Sequence, residues 1–521
     1  MKLSDRNKFF LLLLLVPLNV ILRIQVSFRE MGIDTYEMHM MTNSLTEFGK
    51  AKWFLHSLSI IGLYPASYSS AMQFLLSGIA QTTGLEMNMV ILFYTIFLGL
   101  LSIFAVYLMA GAFTEDDVFK FLAAFGFSTL PAVLAYTTWT IPTRGLFLIL
   151  APIAIYLLLR IITTNKIKYI LMLIILSILL ISTHHLFYFL IPLFIATFIV
   201  IVFKSGKLII MTSYKDYIPS LTIKNRVLSR YFELFLTLAG FLLMLSIPFF
   251  GKKFLEVSRY DPVYIGYARN IGLSSIFAVG GLFYLIFKNN KNNREWFILL
   301  SAILLTAFIY KVTYMKWFLP LLAIIFMCIG LVNIINNSPQ KKFALSIISV
   351  FLLVSISVSG YYQFLHKYKY GERTMEDSTF NTGRWIKYAI NGSCISNDEM
   401  LGRKLFSVAE TTHFLDTSTV VNQIYGFINL NISDYKMYPI TTDDFWINGY
   451  EGPDIGSNTW SAVNRLWVSP SNYKITCVVE NSKSNGDMIW MHSPEPSGLI
   501  QFAYGFNGVY DDGEERVWGL K

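Results

Sequence analysis

Apolar side chains fill the first 365 residues in long blocks separated by short basic loops. A hydrocarbon layer of about 30 Å takes roughly 20 apolar residues in helical form, because each unpaired backbone group in lipid costs several kcal/mol. About eleven blocks meet that length, near residues 9–24, 88–113, 119–135, 144–162, 167–183, 186–203, 231–250, 271–287, 296–312, 317–335 and 343–361. They predict a polytopic α-helical membrane protein with about 11 transmembrane helices over residues 1–365. The opening block follows Lys2, Arg6 and Lys8 with no small-residue cleavage site after it, so it reads as an uncleaved signal anchor.

After residue 366 the pattern shortens. TFNTGRWIKYAI at 379–390 has the cap and spacing of an amphipathic helix, and SCIS, KITCVV and DMIWMH read as short strands. Residues 366–521 are long enough for one small α/β domain. No heptad, solenoid or low-complexity repeat interrupts either region.

Composition agrees. The chain is 54% hydrophobic and 14% charged, with a mean hydropathy of +0.52. Soluble proteins carry about 25% charged residues, so an ordinary soluble enzyme is excluded. The net charge of +9 hides an asymmetry, with 31 Lys/Arg against 14 Asp/Glu up to residue 370 and 11 against 19 beyond it. The basic residues sit in alternate loops: Arg160 to Lys168, Lys204 to Arg230, Lys288 to Arg294, and Lys341 with Lys342. The positive-inside rule places those loops and the N-terminus in the cytoplasm, at about 18 basic residues inside against about 11 in short outer segments. An odd number of spans then puts the tail, with sequons at Asn391 and Asn431, outside the cell. The positive charge therefore sets orientation among membrane lipids and does not point to nucleic acid. Three cysteines leave room for at most one bridge, Cys394 with Cys477, since Cys328 lies in an apolar run. An oxidised pair and two packed thiols are both open readings.

The candidate chemistry lies on the outer side. The first outer loop, residues 25–87, is polar at its start and amphipathic beyond, as expected of helices lying in the interface. Asp34 stands about ten residues past the first span, close to hydrocarbon yet wet, where a carboxylate can act as a base on a hydroxyl or amide. Arg144 follows Thr143 at the outer end of the fourth span. Thr143 as cap, the free N–H groups and the guanidinium could face one anion there. Snorkelling to lipid headgroups is the bland alternative. Arg259 and Arg269 lie in the next long outer loop, 251–270, with the same two readings. Asp261 could assist Asp34, hold a metal, or pair with Arg259. His184 and His185 end the fifth span; on a helix they cannot face the same way, so each would meet a different partner or cap the helix at the interface. The Phe, Tyr and Met residues read as packing and interface belts.

An Asp in a GxDxxxxH-like stretch after the first span, followed by a Tyr-Pro segment (LYPASYSS, 63–70) and a long second span, resembles the GT-C superfamily of integral-membrane glycosyltransferases. Within it the likeness is to archaeal relatives of the oligosaccharyltransferase catalytic subunit, and it covers the whole chain in layout. The resemblance implies catalysis by an acidic residue of the first outer loop, here Asp34. It also implies a polyprenyl-phosphate-linked or pyrophosphate-linked sugar donor, and transfer on the outer face to a protein or lipid acceptor. Relatives often have His four residues after the Asp, whereas this chain has Met38 there and His39 next. No Trp is followed by Asp as in the oligosaccharyltransferase signature, and YTTWTIPT at 136–143 lacks the second acidic metal motif; TEDD at 114–117 falls on the cytoplasmic side. A divalent metal is thus an open expectation, and transfer of a lipid-linked monosaccharide fits better than sequon glycosylation. The competing classes are a polyprenyl-lipid or polysaccharide transporter or flippase, and a non-catalytic assembly protein. The first is disfavoured by spans almost free of buried charge, and the second leaves the first outer loop without a purpose.

Overall fold

The computed structural model describes residues 2–24, 29–49, 71–164, 166–205, 231–239, 270–308, 314–369, 374–396, 399–409, 475–481 and 506–520. Helix α1 (Asp5–Ile21) starts on Ser4, whose hydroxyl accepts from the Asn7 amide. After it come α2 (Ile33–Phe48), α3 (Ala71–Thr83), α4 (Met87–Phe113), α5 (Asp117–Ser128) and the single turn α6 (Pro131–Leu134). Then follow α7 (Thr143–Thr164), α8 (Ile167–Thr183), a tight turn at His185–Leu190, and α9 (Ile191–Ser205). Beyond a helical stretch at 231–239 lie α10 (Ser274–Phe287), α11 (Asn293–Thr306), α12 (Met315–Phe318), α13 (Pro320–Asn337) and α14 (Lys341–Lys369). Five described helical stretches are long and apolar enough to cross a bilayer: Met87–Phe113, Thr143–Thr164, His185–Phe203, Met315–Asn337 and Lys341–Tyr361. The protein is a multi-pass helical membrane protein.

The third expected span, 119–135, is not one helix. Pro131 has no N–H to give and pushes Leu130 out of the helical region to ψ 137°, so the chain breaks into α5 and α6. Phe119, Leu122, Phe125, Phe127, Val133 and Leu134 are all buried, so this segment lies inside the bundle rather than against lipid. Its apolar character met the bilayer criterion because a protein core and a lipid core ask for the same side chains. Elsewhere small residues bring helices close. A Cβ on Gly281 of α10 would collide with the Phe326 carbonyl of α13, and one on Gly330 would lie 2.8 Å from the Phe277 carbonyl.

Charged groups gather at the end of the bundle where the chain begins. Asp117 accepts from the Leu3 amide at 3.0 Å and pairs with Lys8 at 3.1 Å and Lys120 at 3.3 Å. Arg294 donates to the Phe113 carbonyl at 2.9 Å, beside a capping box of Asn292 and Glu295. The TEDD cluster therefore lies on the same face as the N-terminus.

The tail contains α15 (Asp377–Ala389), β1 (Ser393–Ser396), α16 (Glu399–Ala409), β2 (Ile475–Asn481), β3 (Phe506–Asp511) and β4 (Glu515–Leu520). The sheet order is β1-β2-β4-β3, with β1 and β2 parallel and the other pairs antiparallel. The helix expected at 379–390 and two of the expected strands are present; DMIWMH, at 487–492, lies outside the described residues. The β3/β4 hairpin turns at Gly513 (φ +90°), and Tyr510 stacks on Trp385 of α15 at 4.9 Å. Cys394 and Cys477 are buried opposite each other on β1 and β2 and joined as a disulfide.

Glu515 at the start of β4 is fully buried, accepts from Thr379 of α15, and has one carboxylate oxygen with no hydrogen bond. Burial raises its pKa to about 7, with Asp512 pushing the same way and Thr379, Thr382 and Lys404 opposing. The folded state therefore holds a proton that the unfolded state has released. That contribution is fully present below the unfolded value of 4.5 and is lost as pH rises through about 7. The tail should lose about 3 kcal/mol of stability between pH 4.5 and 8. The protection factors of the β4 amides, with the intrinsic rise of exchange with pH divided out, should fall over that interval in the native chain and stay flat in Glu515→Gln.

Candidate active site

Gly32 takes a positive φ of +92° to turn the chain from residue 31 into α2, which puts Asp34 in the first helical turn. A carboxylate there is favoured by the helix dipole. Arg144 occupies the first turn of α7, and its Nη2 donates to Asp34 Oδ2. The acid is the wetter partner, its side chain 52% exposed against 17% for the arginine.

Aromatic rings form the wall behind this pair. The guanidinium carbon lies 4.7 Å from the Trp317 ring centre, 5.1 Å from Tyr136 and 5.7 Å from Tyr314. Lys316 Nζ sits 4.6 Å from the same Trp317 ring, so two cations share one indole. Tyr314 packs edge-on to Trp317 at 4.9 Å and to His185 at 4.7 Å. Burial lifts the Tyr136 hydroxyl well above its ordinary pKa, with Arg144 pulling the other way, so this phenol stays protonated.

The two histidines do not diverge as helical neighbours would. The chain leaves the helix at His184 (φ −164°, ψ 148°), and the rings come to 4.0 Å of each other, both beside Tyr314. His184 Nδ1 accepts from the Leu186 amide at 3.0 Å, which fixes its ring. Asp34, Arg144, His184 and His185 therefore come together at one mouth. Arg259, Arg269 and Asp261 lie outside the described residues.

His39 stands apart from that mouth. Five residues on from Asp34, it faces roughly 140° around α2. It is buried with Nδ1 2.7 Å from Glu30 Oε2, and Ser407 of α16 donates to the other Glu30 oxygen at 2.8 Å. Arg29 pairs with Asp377 at 2.7 Å and lies 3.7 Å from the Phe380 ring centre, and Met31 bridges Thr374. This edge of the segment 29–49 is a seam that fastens the tail to the membrane part.

Sequence reading passed over Tyr136, Tyr314, Lys316, Trp317 and Glu30. Tyr314, Lys316 and Trp317 gave one signal, a polar-aromatic cluster where a span was expected to begin. The described residues make no group of three or more His, Cys, Asp or Glu placed to hold a metal ion. Asp34, the acid of the described mouth, is held by the Arg144 guanidinium.

The fold has counterparts among solved structures of low sequence identity. In structure the chain resembles the oligosaccharyltransferase of Archaeoglobus fulgidus in the apo form, with 12% identity, a TM-score of 0.55, and coverage of 92% of this chain and 70% of that one. The same enzyme, AglB, in complex with an inhibitory peptide and a dolichol-phosphate, gives 12% identity and a TM-score of 0.53 over 91% and 69% of the two chains. Its form tethered to an acceptor peptide containing the NVT sequon gives 11% and 0.53 over 92% and 69%. No family model and no curated protein matches the sequence.

A Cβ on Gly145 would press on the backbone carbonyl of Tyr136, which has no flexible end to move aside. Gly145→Ala should therefore destabilise the chain by about 1–3 kcal/mol. Thermal unfolding in detergent would show a lowered midpoint.

Proposed function

We propose that this protein is an inverting glycosyltransferase. It moves a sugar from a polyprenyl-phosphate-linked donor to a protein or lipid acceptor on the extracytoplasmic face. In this reading the N-terminus is cytoplasmic, about eleven helices cross the membrane over 1–365, and residues 366–521 form an outer α/β domain. The observation that carries it is the Asp34–Arg144 pair set against Trp317 and Lys316.

The pair is partly exposed, and such ion pairs are worth about 1 kcal/mol or less, so a phosphate can displace the carboxylate. Two cations against one described carboxylate leave the mouth positive and suited to a lipid phosphate. Once Arg144 turns to the phosphate, Asp34 is free as a base. The acceptor hydroxyl or amide then gives its proton to Asp34 and its heteroatom bonds to the anomeric carbon. The bond from that carbon to the phosphate oxygen breaks, and polyprenyl phosphate leaves with the electron pair, stabilised by Arg144 and Lys316. His184 and His185 border the sugar side of the mouth. Arg259 and Arg269 are proposed as further phosphate contacts, and Asp261 as a partner to Arg259 or Asp34. The architecture shared with AglB, solved with a dolichol-phosphate, supports the class of donor.

Asp34→Asn should lower transfer from undecaprenyl-phosphate-linked sugars by about 10²–10⁴-fold while retaining undecaprenyl-phosphate binding. Arg144→Ala should weaken that binding by about tenfold or more. Full turnover in Asp34→Asn would end this reading, and so would a wild-type chain that neither binds nor turns over these lipids.

A further inference from the structure

Arg23, two residues beyond α1, carries a fully buried guanidinium that the chemistry above does not use. Its hydrogen bonds all go to neutral groups. Nε donates to Thr137 Oγ1 at 3.1 Å, Nη1 to Asn19 Oδ1 at 2.7 Å and to the Asn19 carbonyl at 3.2 Å, and Nη2 to the Ser128 carbonyl at 3.3 Å. Asn19 is itself fixed, its amide donating to Ser128 Oγ at 3.1 Å and the Leu15 carbonyl at 3.0 Å. Among the described residues no carboxylate pairs with Arg23. The cavity that holds it exists because position 99 of α4 is glycine: a Cβ there would overlap the guanidinium.

An apolar side chain of similar volume generally serves stability as well as a desolvated cation does. What a guanidinium adds is a rigid planar fork that fixes several acceptors at once. Those acceptors lie at the end of α5 and midway along the strap of residues 129–142. From the far half of the strap, the Trp139 carbonyl accepts from the Met31 amide at 2.9 Å, and the Ile141 amide donates to Thr35 Oγ1 at 3.3 Å. Met31 and Thr35 bracket Gly32 and Asp34, so the first turn of α2 hangs on the strap. Arg144 is rooted differently, in the 22-residue helix α7.

We infer that Arg23 is a positioning residue: by holding the strap at Ser128 and Thr137 it sets where Asp34 stands relative to Arg144. The inference rests on the proposed transfer reaction for its functional consequence, and on the hydrogen bonds alone for its structural one. Arg23→Lys keeps the charge and loses the fork.

The experiment uses the full chain in lipid nanodiscs. In Arg23→Lys the Met31 and Ile141 amides should exchange at least about tenfold faster than in wild type, with α7 unchanged. The turnover number with undecaprenyl-phosphate-linked sugars should fall about 10–100-fold, as expected for a misplaced base, while undecaprenyl-phosphate binding stays within about twofold. If Arg23→Lys does not fold, Thr137→Val, which removes the one bond from Arg23 Nε to the strap, is read the same way. Unchanged exchange at Met31 and Ile141 overturns the inference. So does unchanged turnover, or a parallel loss of turnover and lipid-phosphate binding, which marks a merely structural role. If the wild type neither binds nor turns over the lipids, the transfer reaction falls, and the exchange arm still decides whether Arg23 holds the first turn of α2.

Discussion

A guanidinium presents one planar fork, and in the proposed reaction two anions that cannot occupy it together compete for it. Arg144 is placed against Asp34 by the structure, and its surroundings are a second cation, an indole between the two, and phenol rings that shield it without neutralising it, the features on which the proposed lipid-phosphate contact rests. The competition gives the proposed reaction an order. While the acid holds the arginine its lone pairs are engaged, and a bound donor releases them.

That competition depends on distance, and two residues 110 positions apart in the chain have no local means of fixing one. Helix α7 supplies one fixed point, since its first turn carries Arg144 on a long buried rod. The other end is a short helix in the first outer loop, held on one side by the strap through Met31 and Thr35, and on the other by the tail through Arg29, Glu30 and His39. The tail is thus not an appendage. Its helices α15 and α16 border the segment that carries the candidate base, so the membrane bundle and the tail both bear on one carboxylate.

Several features were legible in the order of residues alone. The apolar blocks announced a multi-pass bundle, since no soluble core needs so many runs of bilayer length. The basic loops grouped Lys8, Lys288 and Arg294 on one face, where Asp117, Glu295 and the Phe113 carbonyl are found with them. Asp34 and Arg144 were legible for the same reason: each is a charge beside an apolar block, where a charge needs a partner or water. The block at 119–135 reads as one helix in its apolar pattern and is two in the structure, because Pro131 breaks it. Of the two readings for the histidines the cap is found, since the chain leaves the helix at His184 and its ring accepts from the Leu186 amide; that the two rings meet was not legible, because periodicity assumes a continuous helix.

What the sequence determined by itself, then, is which segments leave water, which basic loops share a face, and which charged residues border those segments. These follow from transfer free energies, which each stretch of chain carries with it. The tertiary structure alone decided that Lys316 and Trp317 stand behind Arg144, that His39 turns to Glu30 instead of the mouth, and that Arg23 grips the strap. Such contacts join residues far apart in the chain. Their geometry comes from how helices pack against one another, where one missing Cβ, as at Gly99, admits a side chain that no local pattern foretells.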